Sequence, residues 1–319
     1  MNLRNLPLPL LEAGLIVAWS SGFIGARFSI DQAPAMLVVF WRCLLVALVL
    51  LPWAWRPLRQ ASPQAWLHTA GSGLLAMGGY LAGVVQGIAL GVPAGLAALV
   101  ADLLPLGVAL LSATALAQRL GWRAWGGLLV GLAGVLIVTA NALSLGNAPG
   151  YAYALPLLGM LSLAVATLWQ KHSAAASAMP LVATLWLHCA GSCVVFAVLA
   201  SLEGSLAPIR SAGFAASVLW TALPASLGGY GLYWLCLRRS SPTRVASVLY
   251  LSPAVTLLWA WAMFGEPLSW LIALGAGLCL LGVLVVVRAE QPRGAPRPRR
   301  STTAPARSCP ARSDRTPAR

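Results

Sequence analysis

Long apolar runs alternate with short polar joints along this chain. A membrane-spanning helix needs about 20 mostly apolar residues. Ten runs approach or reach that length: Leu8–Phe28, Pro34–Trp53, Trp66–Gln86, Val92–Ala117, Trp125–Ala142, Tyr151–Gln170, Pro180–Leu202, Phe214–Leu237, Val245–Phe264 and Ser269–Val287. The pattern predicts an all-α integral membrane protein with ten transmembrane helices. The joints hold turn formers such as Pro57, Pro63, Gly204, Ser241-Pro242 and Pro267, and they are too short for a soluble domain. From Arg288 the pattern changes to Pro, Arg, Ser and Ala. Residues 288–319 are therefore expected to form a disordered basic tail, having too little apolar surface to offset ordering entropy.

Composition removes the soluble alternative. Hydrophobic residues fill 59% of the 319 positions and charged residues only 9%, with mean hydropathy +0.81. Soluble domains carry about a quarter charged residues. The net charge of +14 would suit nucleic acid, but its placement argues against that partner. Nine arginines against Glu290 and Asp314 put half of it in the tail, and most of the rest lies in the joints. With the N-terminus inside, the inner joints hold Arg56, Arg59, Arg119, Arg123, Lys171, Arg238, Arg239 and Arg244, and the outer ones Arg27 and Arg210. Cytoplasmic joints collect Lys and Arg, so both termini are predicted to be cytoplasmic. The six cysteines show no metal-ligand spacing, and no cofactor is expected.

The two halves repeat. Gly78-Gly79-Tyr80 matches Gly228-Gly229-Tyr230, Pro105 matches Pro253, Trp122 matches Trp270, and Gly134-Val135-Leu136 matches Gly282-Val283-Leu284. Residues 8–142 and 151–287 read as two five-helix units, and an odd helix number per unit makes them inverted repeats.

Family features now stand out. Trp19-Ser-Ser-Gly-Phe-Ile-Gly-Ala-Arg27, Phe40-Trp-Arg42, Tyr250-Leu-Ser-Pro253 and Phe264-Gly-Glu266-Pro267 occur in order, before a glycine-rich last helix. In these pieces the chain resembles the EamA-domain family of the drug/metabolite transporter superfamily. The resemblance covers about residues 8–288. It implies ten helices, both termini inside, a central cavity between the repeats, and outward movement of small metabolites such as amino acids or related compounds. One departure stands out: the family's Gly-Glu pair is kept as Gly265-Glu266, whereas the first half has Ala117-Gln118. A carboxylate at a helix start favours the dipole and the unpaired N–H groups, which gives Glu266 a structural reading.

Ionisable groups at membrane depth are costly and carry functional hypotheses. Arg42 and Asp102 lie about 12 and 15 Å deep from the same face at 1.5 Å per residue. They are expected to approach each other or to face one polar cavity; a structural ion pair is the competing reading. His188 takes the place in the second repeat that Arg42 takes in the first. Trp19, Ser21, Tyr80, Tyr230, Tyr233 and Tyr250 combine aromatic bodies or hydroxyls suited to a partly apolar solute. With Arg42, Asp102 and His188 they form the candidate substrate site. Gly78, Gly79, Gly228 and Gly229 offer flexible points, and Pro105 and Pro253 are expected to kink helices four and nine as gates.

These features favour a secondary transporter working by alternating access in a bacterial inner membrane, with a small-molecule substrate and lipid as partners. Proton coupling and homodimer formation stay open. Two readings compete: a non-transporting membrane receptor or assembly partner, and an intramembrane enzyme. The second would need a Ser–His pair or a His/Glu metal cluster, and no His-Glu-x-x-His spacing occurs.

Overall fold

The computed structural model describes residues 6–30, 32–92, 97, 100–117, 120–139, 148–264 and 270–290. Gln118, Glu266 and the tail from 291 onward lie outside the described residues. Within them every regular element is helical. The first half holds α1 (Leu8–Ile30), α2 (Ala35–Gln60), α3 (Pro63–Gly73), α4 (Tyr80–Ala89), α5 (Leu104–Ala115) and α6 (Trp122–Thr139). The second holds α7 (Ala154–His172), α8 (Ala174–Ala178), α9 (Leu181–Glu203), α10 (Ala212–Trp220), α11 (Gly231–Arg239), α12 (Pro242–Val248), α13 (Ser252–Phe264) and α14 (Trp270–Glu290). Six helical stretches are long and apolar enough to cross a membrane: Leu8–Ala26, Ala35–Gln60, Pro63–Ala89, Gly150–His172, Leu181–Glu203 and Pro242–Met263. Leu104–Ala115, Trp122–Ile137 and Ala273–Ala289 are shorter apolar helices.

The polar joints end helices by capping. The hydroxyls of Ser62, Ser173, Ser211 and Ser241 accept from the backbone N–H groups of Ala65, Ala176, Phe214 and Arg244. Each cap satisfies a donor that the helix start leaves unpaired. Pro63 and Pro242 follow directly, at positions where a missing N–H breaks no bond.

Two stretches depart from α geometry at repeat-related places. A π-helical segment, Leu74–Gly79, joins α3 to α4, and a second, Thr221–Tyr230, joins α10 to α11. Pro224 lies inside the second and cannot donate to a regular ladder. Such π segments are rare and recur at functional sites. The prolines behave differently from the kinks expected of them. Pro105 stands in the first turn of α5, after turn residues Asp102 and Leu103. Pro253 stands in the first turn of α13, after the 3-10 turn Leu249–Leu251. Both occupy fresh helix starts after a break, so neither removes an intrahelical bond.

Packing relies on glycine where helices cross closely. α6 lies against α14, and a Cβ added at Gly282 would sit 2.5 Å from the Gly131 nitrogen and 2.6 Å from the Gly127 carbonyl oxygen. Gly126 and Gly277, on the same two helices, face open space. α2 packs on α9, where the thiols of Cys43 and Cys189 both reach the Met77 sulfur, at 3.9 and 3.7 Å. α1 packs on Thr221–Tyr230 and on α13, whereas α7 packs on α4 and on α5.

Candidate functional site

A cavity of about 460 Å³ runs between the late half of α1, the early half of α2, α4 and the π segment Thr221–Tyr230. It reaches the surface at exposed Ala26, Pro34 and Ala89 and ends inward at Trp19, Arg42, Tyr80 and Tyr230. The helices run antiparallel, so these segments share one end of the bundle. A second hollow of about 510 Å³ lies at the other end, along exposed Arg56, Gln60 and Ala178. No buried ionisable group faces it, so the deep cavity is the candidate site.

Arg42 is the charged group of the deep cavity and is only 7% exposed. Its Nε donates to Ser226 Oγ at 2.5 Å, and Ser226 in turn donates to the Thr221 carbonyl at 3.0 Å. That second bond crosses five residues, within the π segment, so the irregular helix places the serine that orients the arginine. The guanidinium carbon lies 6.0 Å from the Tyr230 ring centroid, within cation–π range. Trp19 centres an aromatic group, with ring centroids 5.2 Å from Tyr230, 5.4 Å from Tyr233 and 6.2 Å from Tyr80. Tyr230 donates to the Ala76 carbonyl at 3.3 Å, linking the two π segments. Both Gly-Gly-Tyr motifs thus bring their tyrosine to the cavity.

The other expected site residues lie elsewhere. Asp102 is buried, at 5% exposure, but does not line the cavity and makes no ion pair with Arg42. Of the two, only Arg42 lines this cavity, although both lie within electrostatic reach of Tyr80. Equal depth left the facing directions open: Arg42 turns toward Ser226, and Asp102 sits at the break before α5, within electrostatic reach of Tyr80, Tyr250 and Cys279. Ser21 donates to the Ala18 carbonyl of its own helix at 2.6 Å. Tyr233 pairs with Thr167 at 2.5 Å behind Trp19. Tyr250 packs over Gly131 in a separate cluster, its hydroxyl buried without a hydrogen bond. His188 is fully buried, 3.5 Å from Ser72 Oγ at Nε2 and edge-on to Trp234 at 5.1 Å. The four glycines of the repeated motif all lie in the π segments.

The end opposite the cavity mouth is tied by charge-assisted bonds that the sequence did not suggest. Glu12 accepts two bonds from Arg244, at 2.7 and 2.9 Å. Lys171 donates to the carbonyls of Leu237 and Ser240 at 2.7 and 2.8 Å, and Arg239 to that of Leu6 at 2.8 Å. Arg238 donates to the Met179 carbonyl and to Thr184 Oγ1. Partners so far apart in the chain leave no mark on a single sequence.

Comparison with known proteins gives the family. A family model described as "EamA-like transporter family" matches residues 10–140 and again 149–288. The "Probable amino-acid metabolite efflux pump" of Escherichia coli K12 is 27% identical over 281 residues, covering 86% of this chain and 92% of its own. The "Uncharacterized inner membrane transporter YedA" of the same organism is 27% identical over 291 residues, covering 90% of this chain and 92% of its own. A crystal structure 22% identical in sequence superposes with a TM-score of 0.72 over 89% of this chain and 98% of its own, which establishes the shared fold. With the family pattern matched in both halves, the relatives being transporters and apolar helices of spanning length, this membrane protein belongs to the EamA-like transporter family of the drug/metabolite transporter superfamily.

Proposed function

We propose that the chain is a secondary exporter of small metabolites, amino acids or related compounds, working by alternating access between two inverted five-helix repeats, residues 8–142 and 151–287, in a bacterial inner membrane. One observation carries this reading: the cavity opens at one end of the bundle only, over a floor of Trp19, Arg42, Tyr80 and Tyr230, with the π segment Thr221–Tyr230 in its wall and Tyr80 directly after the repeat-related segment Leu74–Gly79. The opposite end is closed by ion pairing and charge-assisted bonds, as one state of an alternating cycle requires. The packing pattern supports the symmetry. An exchange of halves turns the α1 contact with Thr221–Tyr230 into the α7 contact with α4 and the adjoining Leu74–Gly79, and turns α1 on α13 into α7 on α5. The pairs α2 with α9 and α6 with α14 map onto themselves. On the orientation given by the basic joints, both termini are cytoplasmic and the cavity faces outward.

The names of the Escherichia coli relatives support export of an amino-acid metabolite and an inner-membrane location. The test compares all small metabolites in the medium of cells that express the protein with those of cells that lack it. At least one small solute is expected to accumulate outside expressing cells only. Identical media, or net uptake without efflux, would reject export.

A further inference from the structure

The cavity wall is mostly apolar, and its polar groups are largely committed. Ser29 donates to the Ala26 carbonyl at 2.9 Å, Thr221 to that of Ser217 at 2.7 Å, and Tyr230 to that of Ala76 at 3.3 Å. A hydroxyl has one proton to donate, and each of these has used it on backbone. Among the described residues lining the cavity there is one permanent cation, Arg42, and no carboxylate.

Arg42 is poised yet uncompensated. A buried charge without a counter-ion costs several kcal/mol, about as much as desolvating an ion in a real protein interior. Ser226 holds Nε, and Tyr230 lies across the guanidinium face. Among the described residues the two terminal Nη groups have no hydrogen bond and no ion pair. That terminal fork matches a planar oxyanion, which accepts two parallel N–H bonds from it. The anchoring serine is itself fixed by Thr221, so the fork is held in one orientation without a ligand.

Within the transport role proposed above, on which this rests, we infer that the cavity selects apolar or aromatic carboxylates of net negative charge, with Arg42 as their counter-ion, over zwitterions and amines of the same shape. The carboxylate takes the Nη fork. The apolar body lies among Phe23, Val39, Leu81 and Val84, beside the Trp19 ring. A zwitterionic amino acid would bring an ammonium group to a wall whose described residues include no carboxylate to meet it. Deamination or N-acylation of an amino acid removes that group and leaves the carboxylate, so products of those two reaction classes fit best.

The test uses the purified full-length protein and four phenyl compounds of similar size: 3-phenylpropionate, N-acetylphenylalanine, phenylalanine and phenethylamine. Binding is measured by calorimetry, and flux is measured in liposomes. The two acids are expected to bind at least about thirtyfold more tightly than the other two, the scale set by a desolvated charge pair. Arg42→Gln should abolish that preference, and Arg42→Lys should weaken acid binding, because an ammonium lacks the planar fork. If Arg42→Gln does not fold, Ser226→Ala keeps the charge but releases its anchor, and it should lower acid affinity several-fold while phenethylamine binding stays unchanged. Equal binding of all four compounds, or an acid preference unaltered in both Arg42→Lys and Ser226→Ala, would overturn the inference. If the exported solutes found in the cell comparison are amines or zwitterions, the anion assignment falls and transport stands. If no solute moves at all, both fall.

Discussion

Arg42 and His188 occupy matching places in the two repeats, on the contacting helices α2 and α9, yet their surroundings are opposite. Arg42 lines an open cavity, and among the described residues its Nη groups have no hydrogen bond. His188 is sealed against Trp234 and Ser72, and its Nδ1 has no hydrogen-bond partner. The same is true of buried Thr69 Oγ1, Ser192 Oγ and Trp234 Nε1 nearby on α3, α9 and α11. Buried polar groups are nearly always paired, so four orphans on facing helices call for a reason. On the alternating-access reading proposed above, these are groups that would meet water or solute when their end opens and are left unpaired when it closes. The sealed side thus combines strong ties, Glu12–Arg244 and the lysine and arginine bonds to carbonyls, with a desolvation cost that opening would relieve.

The strongest way to break this contrast is to cut the tie. Glu12 is 7% exposed, so Glu12→Gln removes the buried carboxylate charge that accepts both Arg244 bonds, a loss of about 3 kcal/mol. Cys236 is fully buried and lies within electrostatic reach of Glu12, Arg239 and Arg244. In a variant retaining Cys236 as its sole cysteine, maleimide labelling should quicken roughly a hundredfold after Glu12→Gln, the ratio such an energy corresponds to. Unchanged labelling would mean that the pair does not hold this end shut.

A smaller effect tests whether the two π segments are equally tight. A Cβ at Gly79 would strike the Ser162 side chain, which donates to the Leu75 carbonyl at 2.8 Å inside the segment. At Gly229 the nearest atom, the Ala18 carbonyl oxygen, is 3.5 Å away, an ordinary contact. Gly79→Ala should therefore destabilise the protein by about 2 kcal/mol through overpacking. Gly229→Ala should sit near zero by the same thermal unfolding assay. Equal losses would show that the segments need glycine for the backbone itself.

Smaller again is the orphan contribution. Thr69→Val and Ser192→Ala each remove a buried unpaired hydroxyl, and each should raise stability by about 1 kcal/mol, the lower end of the desolvation penalty. Transport should slow at the same time, because the sealed state is favoured. Lower stability in either variant would point to a buried water that satisfies these groups.

How much of this was legible in the sequence depends on what each feature needs. Spanning helices require only runs of apolar residues, and runs are visible one position at a time. The repeated Gly-Gly-Tyr marks two related flexible points, and the π geometry there is seen only in the structure. Trp19, Arg42, Tyr80 and Tyr230 were nameable by depth and chemistry, and they are the ones lining the cavity. Depth also named Asp102, repeat position named His188, and side-chain chemistry named Ser21, Tyr233 and Tyr250, none of which lines the cavity. A helix apolar on all sides carries no stripe to tell which face looks inward. Ser226 escaped notice for a related reason: its position toward Arg42 comes from the extra residue per turn of a π segment, and an α-helical count would rotate it away. Glu12–Arg244 joins residues 232 apart, beyond any local pattern.

The smallest effect expected concerns the prolines, where the observed breaks reverse the earlier expectation. Inside a helix, proline removes a bond and strains the preceding turn, at about 3 kcal/mol or more, so replacing a kinking proline by alanine should straighten the rod and change turnover. Pro105 and Pro253 instead open new helical segments after turns that already interrupt the chain. There proline costs no bond and restricts the unfolded chain, so Pro105→Ala and Pro253→Ala should each lower stability by about 0.5 kcal/mol and leave transport rate unaltered. The turns are held by other contacts: Ser20 of α1 donates to the Ser252 carbonyl at the start of α13 at 3.1 Å, and the two serine hydroxyls lie 3.1 Å apart. If the break is set by those contacts, Ser20→Ala should perturb transport more than Pro253→Ala does. The reverse order, measured as initial export rates at matched protein levels, would return the gate to the proline.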